Sequence, residues 1–258
     1  MVYYNEIDKP TAKWLRELIA FGLIAPGVVD ERSIEDVHPN DLSGFTQAHF
    51  FAGVGVWSHA LRAAGWPDSR PVWTGSCPCQ PFSQAGEGRG VADERHLWPH
   101  WYHLIRRAKP KAVPVFGEQV ASPDGLAWLA TVRTDMEAAG HAFGAADLCA
   151  AGVGAPHIRQ RLYWVGHPCD SGLPARECRP VVGAGRGLEG RAAEQSGGAS
   201  AWTACDWLPC LDGKARPVEP GTSPVAHGAA ARVVRLRGYG NGLVAPLAQE
   251  FISAYLAC

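Results

Sequence analysis

The chain has 258 residues, of which 47% are hydrophobic and 19% charged, enough apolar content for a packed core and too much for a disordered chain. Its formal net charge of -1 excludes a globally basic nucleic-acid binder, so any polyanion contact has to come from a local basic face. Neither a membrane-length apolar run nor a signal-peptide core is visible, and eight cysteines are too few for a disulfide scaffold of this size; the expectation is a cytosolic protein with reduced thiols and no membrane contact.

Short apolar runs predict strands at 2–5, 28–29, 48–51, 72–75, 112–116, 142–147 and 162–165. Between them, "TAKWLRELIAFG", "WSHALRAAG", "LWPHWYHLIRRA" and "GLAWLATVRTDMEAAG" carry apolar residues three or four apart and read as helices. Strand–helix alternation of this kind implies an α/β fold around a mostly parallel sheet covered on both faces. After Gly166 the texture changes to a stretch rich in Gly, Ala, Ser and Arg without sustained period. The tail "YGNGLVAPLAQEFISAYLAC" returns to a helical pattern and is expected to dock on the first domain.

Four places carry candidate chemistry. "HFFAGVGVWSHALRAAGW" sets Gly53-Val54-Gly55 between a strand and a helix, a turn that lets backbone N–H groups approach a nucleotide-like ligand. A tight structural turn explains two glycines equally well; the missing Walker lysine disfavours a phosphate and favours an adenosine cofactor held without a phosphate clamp. In "TGSCPCQPFSQAGEGRG", Cys79 follows a strand end where ligands of open α/β sheets bind, so its thiolate is a candidate nucleophile, against the alternative of a buried structural cysteine. One residue separates Cys77 from Cys79, which argues against a redox pair. Glu118 in "AVPVFGEQV" ends another predicted strand, beside the same crevice or simply in solvent. Arg159 and Arg161 alternate into the last predicted strand and share one side, suited to a phosphate, a carbonyl oxygen or a surface ion pair.

Together these segments resemble the DNA (cytosine-C5) methyltransferases. "GSCPCQPFSQAG" looks like that family's Pro-Cys-Gln loop, "AVPVFGEQV" like its Glu-Asn-Val motif, "GAPHIRQRLYWVG" like its Gln-x-Arg-x-Arg motif and "YGNGLVAPLAQEFI" like its closing Gly-Asn helix motif. The resemblance implies a Rossmann-like S-adenosylmethionine-dependent fold and transfer of a methyl group to C5 of a flipped cytosine. Cys79 would attack C6, Glu118 would neutralise the ring at N3, Arg161 would hold the cytosine carbonyl, and Arg159 would position the loop or a phosphate. Cofactor contacts carried over are Phe51, Gly53, Gly55 and Pro78, with Leu97, Asn241 and Gly242; Ser83 and Arg89 on the loop and Arg232, Arg235 and Arg237 beyond it would touch DNA. Cys77 is expected to be a spectator.

Residues 1–167 would then form the catalytic and cofactor domain, 168–231 a small target-recognition region, and 232–258 a segment returning to the first domain. Only about twenty residues separate Gly55 from Cys77, too few for the family's second and third motifs. "YYNEIDKPTAKWLRELI" and "GVVDERSIEDV" resemble them, which implies a permuted chain with Glu6 and Ile7 at the ribose and Asp30 or Ile34 at the adenine. The alternative is an N-terminal helical extension. In the permuted case the helix after Gly55 is expected on the other sheet face, because right-handed crossovers dominate. His49, Val56, Gln119 and His157 depart from residues the family often has. Cys169, Cys178, Cys205 and Cys210 have poor zinc spacings, so no metal is expected. The expected partner is duplex DNA, met by a monomer in a prokaryotic or phage-infected cytoplasm; RNA cytosine methylation and a non-catalytic DNA-binding member are the alternatives.

Overall fold

In the computed structural model the described residues are 1–78, 97–107, 113–155, 157–169, 206–209, 215–218 and 242–258. Cys79, Ser83, Arg89, Arg232, Arg235, Arg237 and Asn241 lie outside them, as do Cys178, Cys205 and Cys210.

The elements run β1 (Val2–Asn5), α1 (Lys9–Ala20), β2 (Gly27–Asp30), two 3-10 turns (Ile34–Asp36 and Pro39–Leu42), β3 (Gln47–Phe50), α2 (Val56–Ala63), β4 (Val72–Gly75), α3 (Trp98–Arg107), β5 (Val115–Val120), α4 (Pro123–Ala138), β6 (His141–Cys149), a third 3-10 turn (Ala150–Val153) and β7 (Gln160–Pro168). A small antiparallel pair, β8 (Asp206–Pro209) with β9 (Ala215–Val218), precedes the final helix α5 (Ala245–Ala257). Helix α1 begins where the sequence provides an N-cap: the Asp8 carboxylate accepts from the Thr11 N–H, and Pro10 sits in the first turn, where its missing N–H costs nothing.

Seven strands form one sheet in the order β2-β1-β3-β4-β5-β7-β6. β2 through β5 in that order are parallel, and β7 enters antiparallel between β5 and β6. Strands β1, β3 and β4 are buried on both faces, as a covered parallel sheet requires. On one face, Tyr3, Phe50, Trp73 and Val115 pack with Trp98, Trp101 and Leu104 of α3, Val132 and Met136 of α4, and Ile34 and Leu42 of the 3-10 turns. On the other, Val2 and Tyr4 meet Leu15 of α1, while Val72 and Phe116 meet Trp57 and Leu61 of α2 and Ile252 of α5.

These faces correct one expectation. Helix α2, which follows Gly55, lies on the same face as α1 and not on the opposite one: Ser58 on α2 shares a 2.9 Å hydrogen bond with the Tyr4 hydroxyl and accepts from the Ala25 N–H. The parallel step β1→β2 runs toward one edge of the sheet and β3→β4 toward the other, yet both helices cover one face. The two crossovers therefore have opposite hands. The links β2→β3 and β4→β5 run the same way as β3→β4 but cross on the other face, so they share the hand of β1–α1–β2, and β3–α2–β4 is the exception. What holds α2 there is burial: Trp57 packs on Phe116 and Tyr163, and Leu61 joins α5 in the same cluster.

Boundaries also moved. The strand expected at 112–116 is Val115–Val120, so Glu118 lies inside β5 instead of at its end. The run expected at 48–51 stops at Phe50, because Phe51 adopts φ 51°, outside any strand conformation.

Candidate active site

The carboxyl ends of β1, β3 and β4 open on one cleft of about 710 Å³, at the point where the chain direction across the sheet reverses. Of the residues expected to hold a cofactor, Glu6, Ile7, Ile34, Phe51, Gly53, Pro78, Leu97 and Gly242 line it. Glu6 is the strut between β1 and the glycine turn: one carboxylate oxygen accepts from the Gly53 N–H at 2.7 Å and the other from the Asp8 N–H at 2.9 Å. Burial pushes its carboxyl above the usual glutamate range, and those two N–H groups pull it back. Phe51 holds a left-handed backbone as a non-glycine residue, the kind of local strain that collects at ligand sites. Gly53, also left-handed, has open space around it, whereas a Cβ on Gly55 would meet Ile24 at 2.8 Å; Gly55 is the N-cap of α2 and does not line the cleft.

Asp30 does not line it either. Its carboxylate takes the Tyr3 hydroxyl at 2.8 Å and the Arg32 guanidinium at 2.7 Å, and those partners hold it below the usual aspartate range despite partial burial. Ile34, the second residue expected at the adenine, does face the cleft, with Ser33 beside it. Sequence reasoning missed Asn5, Asp8, Pro10, Thr11, Ser33, Val54 and Ser76. The Asp8-Lys9-Pro10-Thr11 cap signal was there to find three of them, since it puts a helix N-terminus at the end of a strand. The described lining carries two carboxylates and no lysine or arginine.

A second cluster adjoins this cleft through the residues after β4. Glu118, 8% exposed, forms an ion pair with Arg161 at 2.8 Å across the β5–β7 ladder, where Glu118 pairs with Tyr163 and Val120 with Arg161. Burial raises the Glu118 carboxyl, opposed first by Arg161 and then by Arg159. Burial and the neighbouring Arg161 push Arg159 down, with Glu118 acting the other way. Gln119 is buried and donates from Nε2 to the Cys77 carbonyl at 3.1 Å, so β5 grips the stem from which Pro78 leads to Cys79. Cys77 itself is buried. Ser76, half-buried in the cleft wall, accepts from the Trp57 indole N–H at 3.3 Å. Glu118, Arg159 and Arg161 thus come together, one strand away from Pro78 and the cleft. Among the described residues no cluster of His, Cys, Asp or Glu could hold a metal ion.

Residues 67–179 match the family model of C-5 cytosine-specific DNA methylases. No curated protein matches the chain. Among solved structures, a DNMT2 variant from Spodoptera frugiperda is similar at 15% identity and a TM-score of 0.46, covering 67% of this chain and 44% of its own. S. pombe Dnmt2 follows at 12% identity and 0.44, covering 67% of this chain and 52% of its own, and Entamoeba histolytica methyltransferase EhMeth at 12% identity and 0.37, covering 65% and 52%. The chain therefore spans about half the length of these proteins. The stretch that matches the family model runs from β4 to β7 of the seven-stranded Rossmann-like sheet.

Proposed function

We propose that this protein is a DNA (cytosine-5)-methyltransferase that takes its methyl group from S-adenosyl-L-methionine. One observation carries the reading: a buried Glu118–Arg161 pair on β5 and β7 stands one strand from the Cys77–Pro78 stem that Gln119 grips, and Pro78 lines a cleft whose described residues include two carboxylates and no lysine or arginine. Such a lining suits a nucleoside bearing a sulfonium cation and repels nucleotide phosphates. Glu6 retains acceptor capacity beyond its two backbone donors, enough for ribose hydroxyls, and Ile34, Phe51, Pro78 and Leu97 offer apolar contacts to the rest. When bound, the cofactor supplies an electrophilic methyl group.

The chain's own residues then have distinct roles. Cys79, as thiolate, adds to C6 of a cytosine turned out of the helix, and the C5–C6 π electrons move to C5 for bonding to the methyl carbon. Loss of the C5 proton to a base then restores the double bond and expels the thiolate. Glu118, whose carboxyl burial keeps ready to hold a proton, meets the ring at N3 and neutralises the charge that develops there. Arg161 orients Glu118 and offers the rest of its guanidinium to the base carbonyl; Arg159 stands beside it for the loop or a phosphate. Gln119, where the family often has Asn, keeps the nucleophile stem against β5.

We also read the chain as circularly permuted. Counting β3 as first, β1 as second and β2 as third turns the parallel strands into the order 3-2-1-4-5, the doubly wound order. The hand-reversed β3–α2–β4 crossover supports this, because a helix that once led toward the β1 edge would keep its place when the chain was rejoined to β4. The functional test is transfer of labelled methyl from S-adenosylmethionine to duplex DNA, single-stranded DNA and tRNA. Label on duplex DNA, abolished by Cys79→Ala, is expected. Label on tRNA alone would move the substrate to RNA, and label on none from a folded protein would leave a binding protein.

A further inference from the structure

Ser76 belongs to neither set of residues that the resemblance supplied, yet it lies between them. It is the first residue past β4, and β4 and β5 run parallel with Thr74 opposite Phe116 and Gly75 opposite Gly117. The next step of that register sets Ser76 opposite Glu118. Its Oγ already accepts the Trp57 indole N–H at 3.3 Å, and an indole nitrogen can only donate. The hydroxyl hydrogen must therefore point away from Trp57, and the acceptor within its reach is the Glu118 carboxylate. Trp57 cannot swing aside to release it: the ring is buried between Phe116 and Tyr163.

Resting on the reading of Glu118 as the group that meets the cytosine ring, we propose that Ser76 is a positioning residue whose hydroxyl, oriented by Trp57, donates to Glu118 and fixes one carboxylate oxygen while Arg161 holds the other side. Ser76 thus joins the two parts of the site: it lines the cleft with Glu6 and the apolar residues, and its hydroxyl reaches Glu118 on the neighbouring strand. The groups that face Glu118 are Arg161 and Arg159 with Tyr163 from the β7 side, and Ser76 with Trp57 behind it. The two arginines and the serine favour the charged carboxylate, and burial opposes them. Removing a neutral donor from a group so nearly buried is felt in its titration, because no water replaces the donor at full strength.

The deciding experiment follows the Glu118 carboxyl itself by ¹³C NMR on glutamate-labelled full-length protein, the signal being assigned by its loss in Glu118→Gln. In Ser76→Ala its titration midpoint should rise by about half a unit or more, and in Ser76→Thr, which keeps the hydroxyl, it should return to the wild-type position. Trp57→Phe should give a smaller rise, since the hydroxyl stays but loses its orientation. An unchanged midpoint in Ser76→Ala, with the native fold confirmed by its thermal transition, overturns the proposal. Binding of S-adenosylhomocysteine measured in parallel identifies what replaces it: a tenfold loss of affinity alongside the unchanged midpoint would make Ser76 a cofactor contact. The titration needs no turnover, so a wild-type protein that methylates nothing would sink the functional reading and leave this result standing.

Discussion

At the scale of single residues, the site is governed by what burial does to charge. Glu118 and Arg161 are each mostly enclosed, so truncating either leaves the other without its partner, whereas an isosteric amide at 118 keeps a hydrogen-bond acceptor for Arg161. Arg161→Ala should lower stability by about 2 kcal/mol at pH 7, by urea titration, and Glu118→Gln should reduce methyl transfer by a factor on the order of 10² while leaving the fold intact. His49 shows the same physics away from the chemistry. Its Nδ1 shares a 2.7 Å hydrogen bond with Thr74, its ring lies 5.0 Å from that of Tyr4, and full burial pushes its pKa down to about 3. The folded state thus excludes a proton that the unfolded chain binds below about pH 6.5. His49 contributes its full stability above that value and loses it as the pH falls toward 3. Between pH 7 and pH 5 the loss from this group should be about 2 kcal/mol, and His49→Asn should remove that part of the pH slope. A slope unaltered by the substitution would show that other groups produce it.

At the scale of elements, turns decide more than propensities do. Gly55 caps α2 with φ 73°, and an added Cβ would press on Ile24 and Leu15. Gly55→Ala should cost about 2 kcal/mol, read from the urea midpoint at constant slope, and shift α2 relative to the cleft. Much of this level was legible in the sequence. The strands at 2–5 and 72–75 stand where their apolar runs ended, and the four internal helices follow their apolar spacing. What was not legible has identifiable causes. Strand β5 slid toward Glu118 and Gln119 because pairing with β4 and β7 buries both polar residues, a tertiary effect that alternation within one segment cannot display. Asp30 read as a ligand contact because an acid at a strand end resembles one. Arg32, two residues on, claims it, and only three-dimensional geometry reveals that competition. Ser76 and Asn5 carry no motif of their own and became visible through what they touch.

At the scale of the whole molecule, the expected α/β architecture is present, and the one topological expectation that failed is informative. Handedness rules describe chains that grew by adding βα units, and the permutation we propose accounts for their placing α2 on the wrong face. A reordered chain, with residues 1–46 moved by flexible linkers to follow residue 65, should fold to the same sheet and bind S-adenosylmethionine with unchanged affinity. Calorimetry and circular dichroism would check this, and a molten or insoluble product would argue that the present order is required. In that arrangement the step after α2 leads to β1, and all parallel crossovers take one hand.

The link between α2 and β4 has a further consequence, for dissection. Everything before it supplies β2, β1 and β3 with α1 and α2, and so Glu6, Ile34, Phe51 and Gly53; everything after it supplies Ser76, Pro78, Leu97, Glu118 and both arginines. A break in that short stretch separates the protein into two polypeptides, one bearing most of the cleft's lining and the other the Glu118, Arg159 and Arg161 cluster. The β3–β4 ladder and the α2–α5 contact form the seam between them. On the activity proposed above, fragment complementation across this seam would make methyl transfer conditional on the two halves meeting, so that the cleft reports their encounter.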